Sequence, residues 1–132
     1  MQSKQAYFPD PQNTDSPYSP AIAVGDQVYI AGQGPISPQT NKVAGATFEE
    51  QLELTLDNVD RALRAANCSL SDCVKITVYL SDMANYDKLN VIYRQRFSKP
   101  LPARTTIQAV LWHHIQIEID AIAIRGCGER RA

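Results

Sequence analysis

The chain has no apolar run approaching the roughly 20 residues of a membrane-spanning helix, and its first residues, MQSKQAYFPDPQN, lack the apolar centre of a signal peptide. It also lacks an excess of either charge. Thirteen Lys and Arg stand against 14 Asp and Glu, a formal net charge of -1, so no overall field draws it to nucleic acid or to an anionic membrane. The one locally basic stretch is the short tail 125–132, with Arg125, Arg130 and Arg131, and such ends are ordinarily solvated. Histidine is confined to His113 and His114. Cys68, Cys73 and Cys127 make an odd count with no C-x-x-C pair and no histidine at ligand spacing. That pattern argues against a disulfide framework or structural zinc and for reduced thiols without a chemical role. Gly32 and Gly34 form a Gly-x-Gly, but neither the rest of a dinucleotide fingerprint nor a helix start follows, which removes a nucleotide reading. A cytoplasmic protein without metal or membrane partner is expected.

What is present suits one compact domain spanning 1–132, since 132 residues at 44% hydrophobic can bury roughly two-thirds of the unfolded surface. Residues 1–20 hold four of the eight prolines and read as a lead-in loop. The run AIAV-GD-QVYIAGQ predicts a hairpin over 21–33 turning at Gly25-Asp26. Thr47 followed three residues later by Glu50 is a capping box, and Leu52, Leu56, Val59, Leu63 and Ala66 then form one apolar stripe, so a helix begins there. Val74, Ile76, Val78 and Leu80 alternate with polar residues as a half-buried strand. Asp82 suits the N-cap of a second helix over 83–97, with Tyr86, Leu89, Tyr93 and Phe97 on one face. The last third, LPARTTIQAVLWHHIQIEIDAIAI, contains two strand-like runs, 104–111 and 115–124, separated by a short turn. The pattern predicts an antiparallel hairpin. If its register joins the polar sets, Arg104, Thr106 and Gln108 share a sheet surface with Glu118 and Asp120.

The element order predicts an α+β fold in which two helices cover one face of a mixed sheet, and the other face then needs a cover, which a copy of the same chain can supply. An arginine beside a glutamate on a strand is commonly a structural ion pair. Alternatively, the guanidinium fork holds a substrate carboxylate while the glutamate deprotonates a water.

The stretches PYSPAIAVGDQVYIAGQGP, EEQLELTLDNVDRALRAANCSLSDCVKITVYLSDM, YDKLNVIYRQRF, PART and IEIDAIA occur in an order and spacing that resemble the RidA (YjgF-type) family of reactive enamine and imine deaminases. The resemblance implies a chorismate-mutase-like fold, a homotrimer with sites between subunits, no cofactor and no metal. It implies hydrolysis of 2-aminoacrylate and related 2-imino acids to 2-keto acids and ammonia. Carried over by position, Arg104 clamps the substrate carboxylate and Glu118 activates the water. Tyr18, Gly32, Asn90 and Thr106 are the implied substrate-binding positions.

The sequence departs from the common family pattern in three places. Ala31 stands where many members have a serine, and Thr106 where archetypal deaminases have a cysteine. The turn LWHHI is about one residue shorter than the archetype and unusually aromatic, which suits a larger substrate. The alternatives implied are a pathway enzyme acting on a larger, aminomuconate-type enamine and a small-ligand-binding regulator without turnover. An endoribonuclease activity, attributed to some relatives, receives no help from the charge balance.

Overall fold

A computed structural model describes residues 2–128. Eight regular elements occur along them: β1 Gln5–Tyr7, β2 Ala21–Val24, β3 Gln27–Gln33, α1 Phe48–Ala65, β4 Cys73–Leu80, α2 Tyr86–Arg96, β5 Ala103–Gln108 and β6 Ile117–Ile124. One mixed sheet runs in the order β1-β2-β3-β6-β4-β5, with β4 and β5 parallel and every other pair antiparallel.

Local chemistry explains most boundaries. Gly25 turns the β2–β3 hairpin at a φ of +58°, where a side chain would be strained. The Thr47 hydroxyl accepts the Glu50 backbone N–H at 3.1 Å and so caps α1. Leu52, Leu56, Val59, Leu63 and Ala66 are all completely buried, and each such Leu or Val contributes about 1.5–3 kcal/mol of apolar burial. Asn67, in the left-handed region at a φ of +63°, follows the helix end. Asp82 caps the short 3-10 turn Met83–Asn85 that leads into α2. In β4 the register shifts between Cys73 and Lys75; Cys73 is therefore buried with Ile76, Val78 and Leu80, while Val74 is turned out.

The core lies between the sheet and the two helices. Val28 and Ile30 of β3, Ile76, Val78 and Leu80 of β4, and Ile117, Ile119 and Ala121 of β6 meet Leu56, Leu63, Leu89 and Phe97 of the helical layer in one cluster. The opposite face has no helix, and Ile22, Tyr29, Tyr79, Ile107 and Ile122 remain partly or fully accessible on it.

Three expectations change. The lead-in loop contains β1, whose three residues extend the sheet edge. More consequentially, 104–111 and 115–124 do not form a hairpin. β5 pairs with β4 in parallel, and β4 stands between β5 and β6. The reason lies in connectivity: strand–helix–strand from β4 through α2 returns the chain parallel to its start. Arg130 and Arg131 of the expected basic tail lie outside the described residues, whereas Arg125 donates to the carbonyls of Ala66 and Gly25, both at 2.8 Å, and so ties the end of β6 to the core rather than standing in solvent.

Candidate active site

Register decides which face each polar residue occupies. Arg104, Thr106 and Gln108 pair with Ile76, Val78 and Leu80, the buried side chains beneath the helices, so they point to the helix side. Glu118 and Asp120 pair with Tyr79 and Thr77 and point to the open side. The expected juxtaposition of Arg104 with Glu118 does not occur within the chain. Neither residue forms an ion pair among the described residues, whose salt bridges involve Arg64 with Asp60 and Arg96 with Glu53 and Asp57.

Arg104 sits at the outer strand, against α2. Its Nη2 donates to Asn90 Oδ1 at 2.8 Å and more weakly to the Tyr86 hydroxyl at 3.4 Å. The guanidinium carbon lies 4.7 Å from the centre of the Tyr93 ring and 5.6 Å from that of Tyr86. These are cation–π distances. Tyr86, Asn90 and Tyr93 reach one arginine because positions four and three apart share a helix face. Tyr93 stacks on Phe97 with centroids 4.3 Å apart, and burial pushes its phenol up to about 12, against a smaller opposing pull from Arg104. The ring is therefore neutral, and among the described residues every partner of Arg104 is uncharged. Its positive charge stays available to a carboxylate from outside the chain.

Glu118 is set in the middle of the sheet, beside β3. A side chain at Gly32 would place its Cβ 2.5 Å from Glu118 Oε2, so the missing Cβ leaves the space that the carboxylate occupies. Its neighbour Asp120 is committed elsewhere: it accepts the Tyr79 hydroxyl at 2.9 Å, a bond that raises the tyrosine's pKa. Thus the two carboxylates of IEID are distinguished by one tyrosine. Two residues beyond Gly32, Gly34 is covered by Ile115 and Trp112.

Of the sequence-derived site residues, then, Arg104, Asn90 and Thr106 gather at β5 and α2, and Gly32 gathers with Glu118. Tyr18 lies ahead of β2 and is 59% exposed. Sequence reasoning missed Tyr86 and Tyr93 as partners of Arg104, having read them only as an apolar stripe; their spacing from Asn90 was the available signal. Cys68 and Cys73 are buried, and burial pushes their thiols up to about 11 and about 12, which keeps them protonated and unreactive. No helix among the described residues is long and apolar enough to cross a membrane.

Comparison with known proteins gives a consistent result. The family model described as Endoribonuclease L-PSP matches residues 10–125. A RutC family protein of Pyrococcus horikoshii is 40% identical over 110 residues, covering 83% of this chain and 87% of that protein. The human 2-iminobutanoate/2-iminopropanoate deaminase is 37% identical over 111 residues, covering 83% of this chain and 81% of that protein. Among solved structures, E. coli TdcF with bound serine superimposes with a TM-score of 0.81 at 29% identity, covering 92% of this chain and 99% of that one.

Proposed function

The chain belongs to the RidA (YjgF-type) family, and from that premise we propose that it is a hydrolytic deaminase of 2-imino acids and their enamine tautomers, working in clefts between the subunits of a homotrimer. The observation that carries this reading is the separation of Arg104 and Glu118 onto opposite faces of one sheet, each without an ionic partner among the described residues. Each is half of a site, and an open sheet face on one copy meeting the β5 edge of another would unite them.

In such a cleft Arg104 binds the substrate carboxylate, held ready by Asn90 and the tyrosine rings. Charge-assisted bonds of this kind are worth about 1.5–3 kcal/mol each. Glu118 accepts a proton from water as the oxygen bonds to the imine carbon; the C=N π electrons move to nitrogen, which takes that proton from Glu118. In the resulting carbinolamine Glu118 accepts the hydroxyl proton and delivers it to the nitrogen as the C–N bond breaks, giving the 2-keto acid and ammonia and leaving Glu118 ionised again. Gly32 leaves the space in which the carboxylate sits, and Thr106 lies on the same strand face as Arg104. Tyr18, from the loop ahead of β2, lines the cleft.

The human deaminase among the relatives supports this chemistry, and the serine-bound TdcF structure supports an amino-acid-sized ligand. That bound serine equally suits a non-catalytic ligand sensor, which would bind such ligands and release no ammonia. The test couples a serine dehydratase to the protein and follows pyruvate formation from 2-aminoacrylate. Wild type is expected to accelerate the step above its spontaneous rate and Arg104→Ala is not. A folded wild type that adds nothing to the spontaneous rate contradicts the deaminase reading.

A further inference from the structure

The turn between β5 and β6 carries a feature that the deaminase chemistry does not use. Trp112 heads a 3-10 turn, Trp112–His114, in which His113 and His114 both adopt left-handed backbone angles, with φ of +49° and +57°. Two consecutive non-glycine residues in that region are costly, and such strain gathers at ligand-handling segments. The His113 ring meets the indole edge-on at 4.6 Å, which fixes the orientation of Trp112. The indole lies within 3.8 Å of where a Cβ on Gly34 would stand, two residues from the Gly32 backbone that supports Glu118. It is nevertheless 48% exposed, and Val110 beside it is fully exposed. Adjoining this turn is a recess of about 450 Å³ with Ala109, Val110, Leu111, His114 and Ile115 in its wall, a size within the small-molecule range. Of its other rim residues, Gln108 pairs with Leu80, one register step along the strands from the Tyr79–Glu118 pair, and Ser81 lies one residue further on. Neither Arg104 nor Glu118 lines the recess.

We propose that this recess and Trp112 form a side-chain subsite, so that the preferred substrate is a 2-imino acid with a bulky apolar or aromatic side chain. The inference rests on the deaminase reading for its reacting centre. Besides Ser81, Gln108 and the His114 imidazole, its lining is apolar and holds no Lys or Arg to clamp a second carboxylate, which favours a phenyl or branched alkyl group over an amino diacid. Burying a phenyl group here adds apolar contact that the methyl of 2-iminopropanoate cannot make.

Trp112 is the only tryptophan in the chain, so its fluorescence reports this subsite independently of turnover. Titrated into the wild-type protein, 3-phenylpropanoate is expected to shift the emission and saturate, with an affinity at least about 10-fold above that of propanoate, as the added apolar area requires. In turnover, with imines generated from phenylalanine or alanine by an amino-acid oxidase, Trp112→Ala should raise KM for the phenyl substrate by about 10-fold and change that for 2-iminopropanoate by less than about 2-fold. Val110→Ser, at a fully exposed position where folding is not at risk, should move the same ratio in the same direction. Equal affinities for the two acids, or variants that leave the ratio of KM values unchanged, overturn the subsite. Saturable 3-phenylpropanoate binding without hydrolysis of either imine upholds the subsite and overturns the deaminase reading instead.

Discussion

On its helix side the sheet holds Arg104 between Asn90, Tyr86 and Tyr93, while on its open side the Glu118 carboxylate occupies the space left by the missing Cβ of Gly32. The first group is fixed by many neutral contacts and the second is left space. The difference follows from what each has to do in the proposed reaction: a carboxylate anchor works best when immobile and uncompensated in charge, and a base must be approachable by water and able to move a proton. It also teaches why neither half suffices, because the sheet itself stands between them.

The sharpest way to break the comparison is to remove either member. Arg104→Ala should reduce kcat/KM by about 10³-fold through the loss of charge-assisted bonds, while Glu118→Gln should lower kcat by about 10²–10⁴-fold with KM little changed. Steady-state kinetics separates the two roles, and a mainly KM effect at Glu118 would count against its assignment as base. Next in size is Gly32→Ala. The new Cβ would meet Glu118 Oε2 at 2.5 Å, displacing a flexible side-chain end rather than the backbone, so kcat should fall by about 10–100-fold with almost no change in Tm. A large drop in Tm instead would mean that Gly32 serves the fold and not the carboxylate.

Smaller effects sharpen the distinction. Asn90→Ala loosens Arg104 but leaves its charge and its aromatic platform, and should raise KM by about 10-fold at nearly unchanged kcat. Tyr79→Phe removes the hydroxyl that occupies Asp120. Since Asp120 is already distinct from Glu118 in position, activity should change by less than about 3-fold and stability by about 1 kcal/mol, as measured by urea denaturation.

The helices and the first hairpin were readable from the sequence because their signals are local: Thr47 with Glu50, the stripe from Leu52 to Ala66, and Gly25-Asp26. The face assignments within single strands were also sound, with Glu118 and Asp120 together and Arg104 with Thr106. What failed was the relation between the strands. Alternation tells which residues share a face but not which strand lies alongside, and β5 and β6, close in sequence, invited a hairpin. The strand–helix–strand order of β4, α2 and β5 carried the opposite message, a parallel pair, and with it the separation of Arg104 from Glu118. Ile107, which pairs with Tyr79 and faces away from Arg104, accordingly lies on the open side, 42% exposed, among the residues that a second copy would cover.

The central claim is that each catalytic cleft draws Arg104 from one subunit and Glu118 from another. Co-expressing Arg104→Ala and Glu118→Gln chains with different tags, and purifying through both tags, isolates mixed assemblies. In a ring of three, either mixed composition leaves one cleft with both residues intact, so roughly a third of wild-type activity should return although each variant alone is inactive. If the mixed assemblies are no more active than the separate variants, Arg104 and Glu118 do not meet across a subunit boundary and the account is wrong.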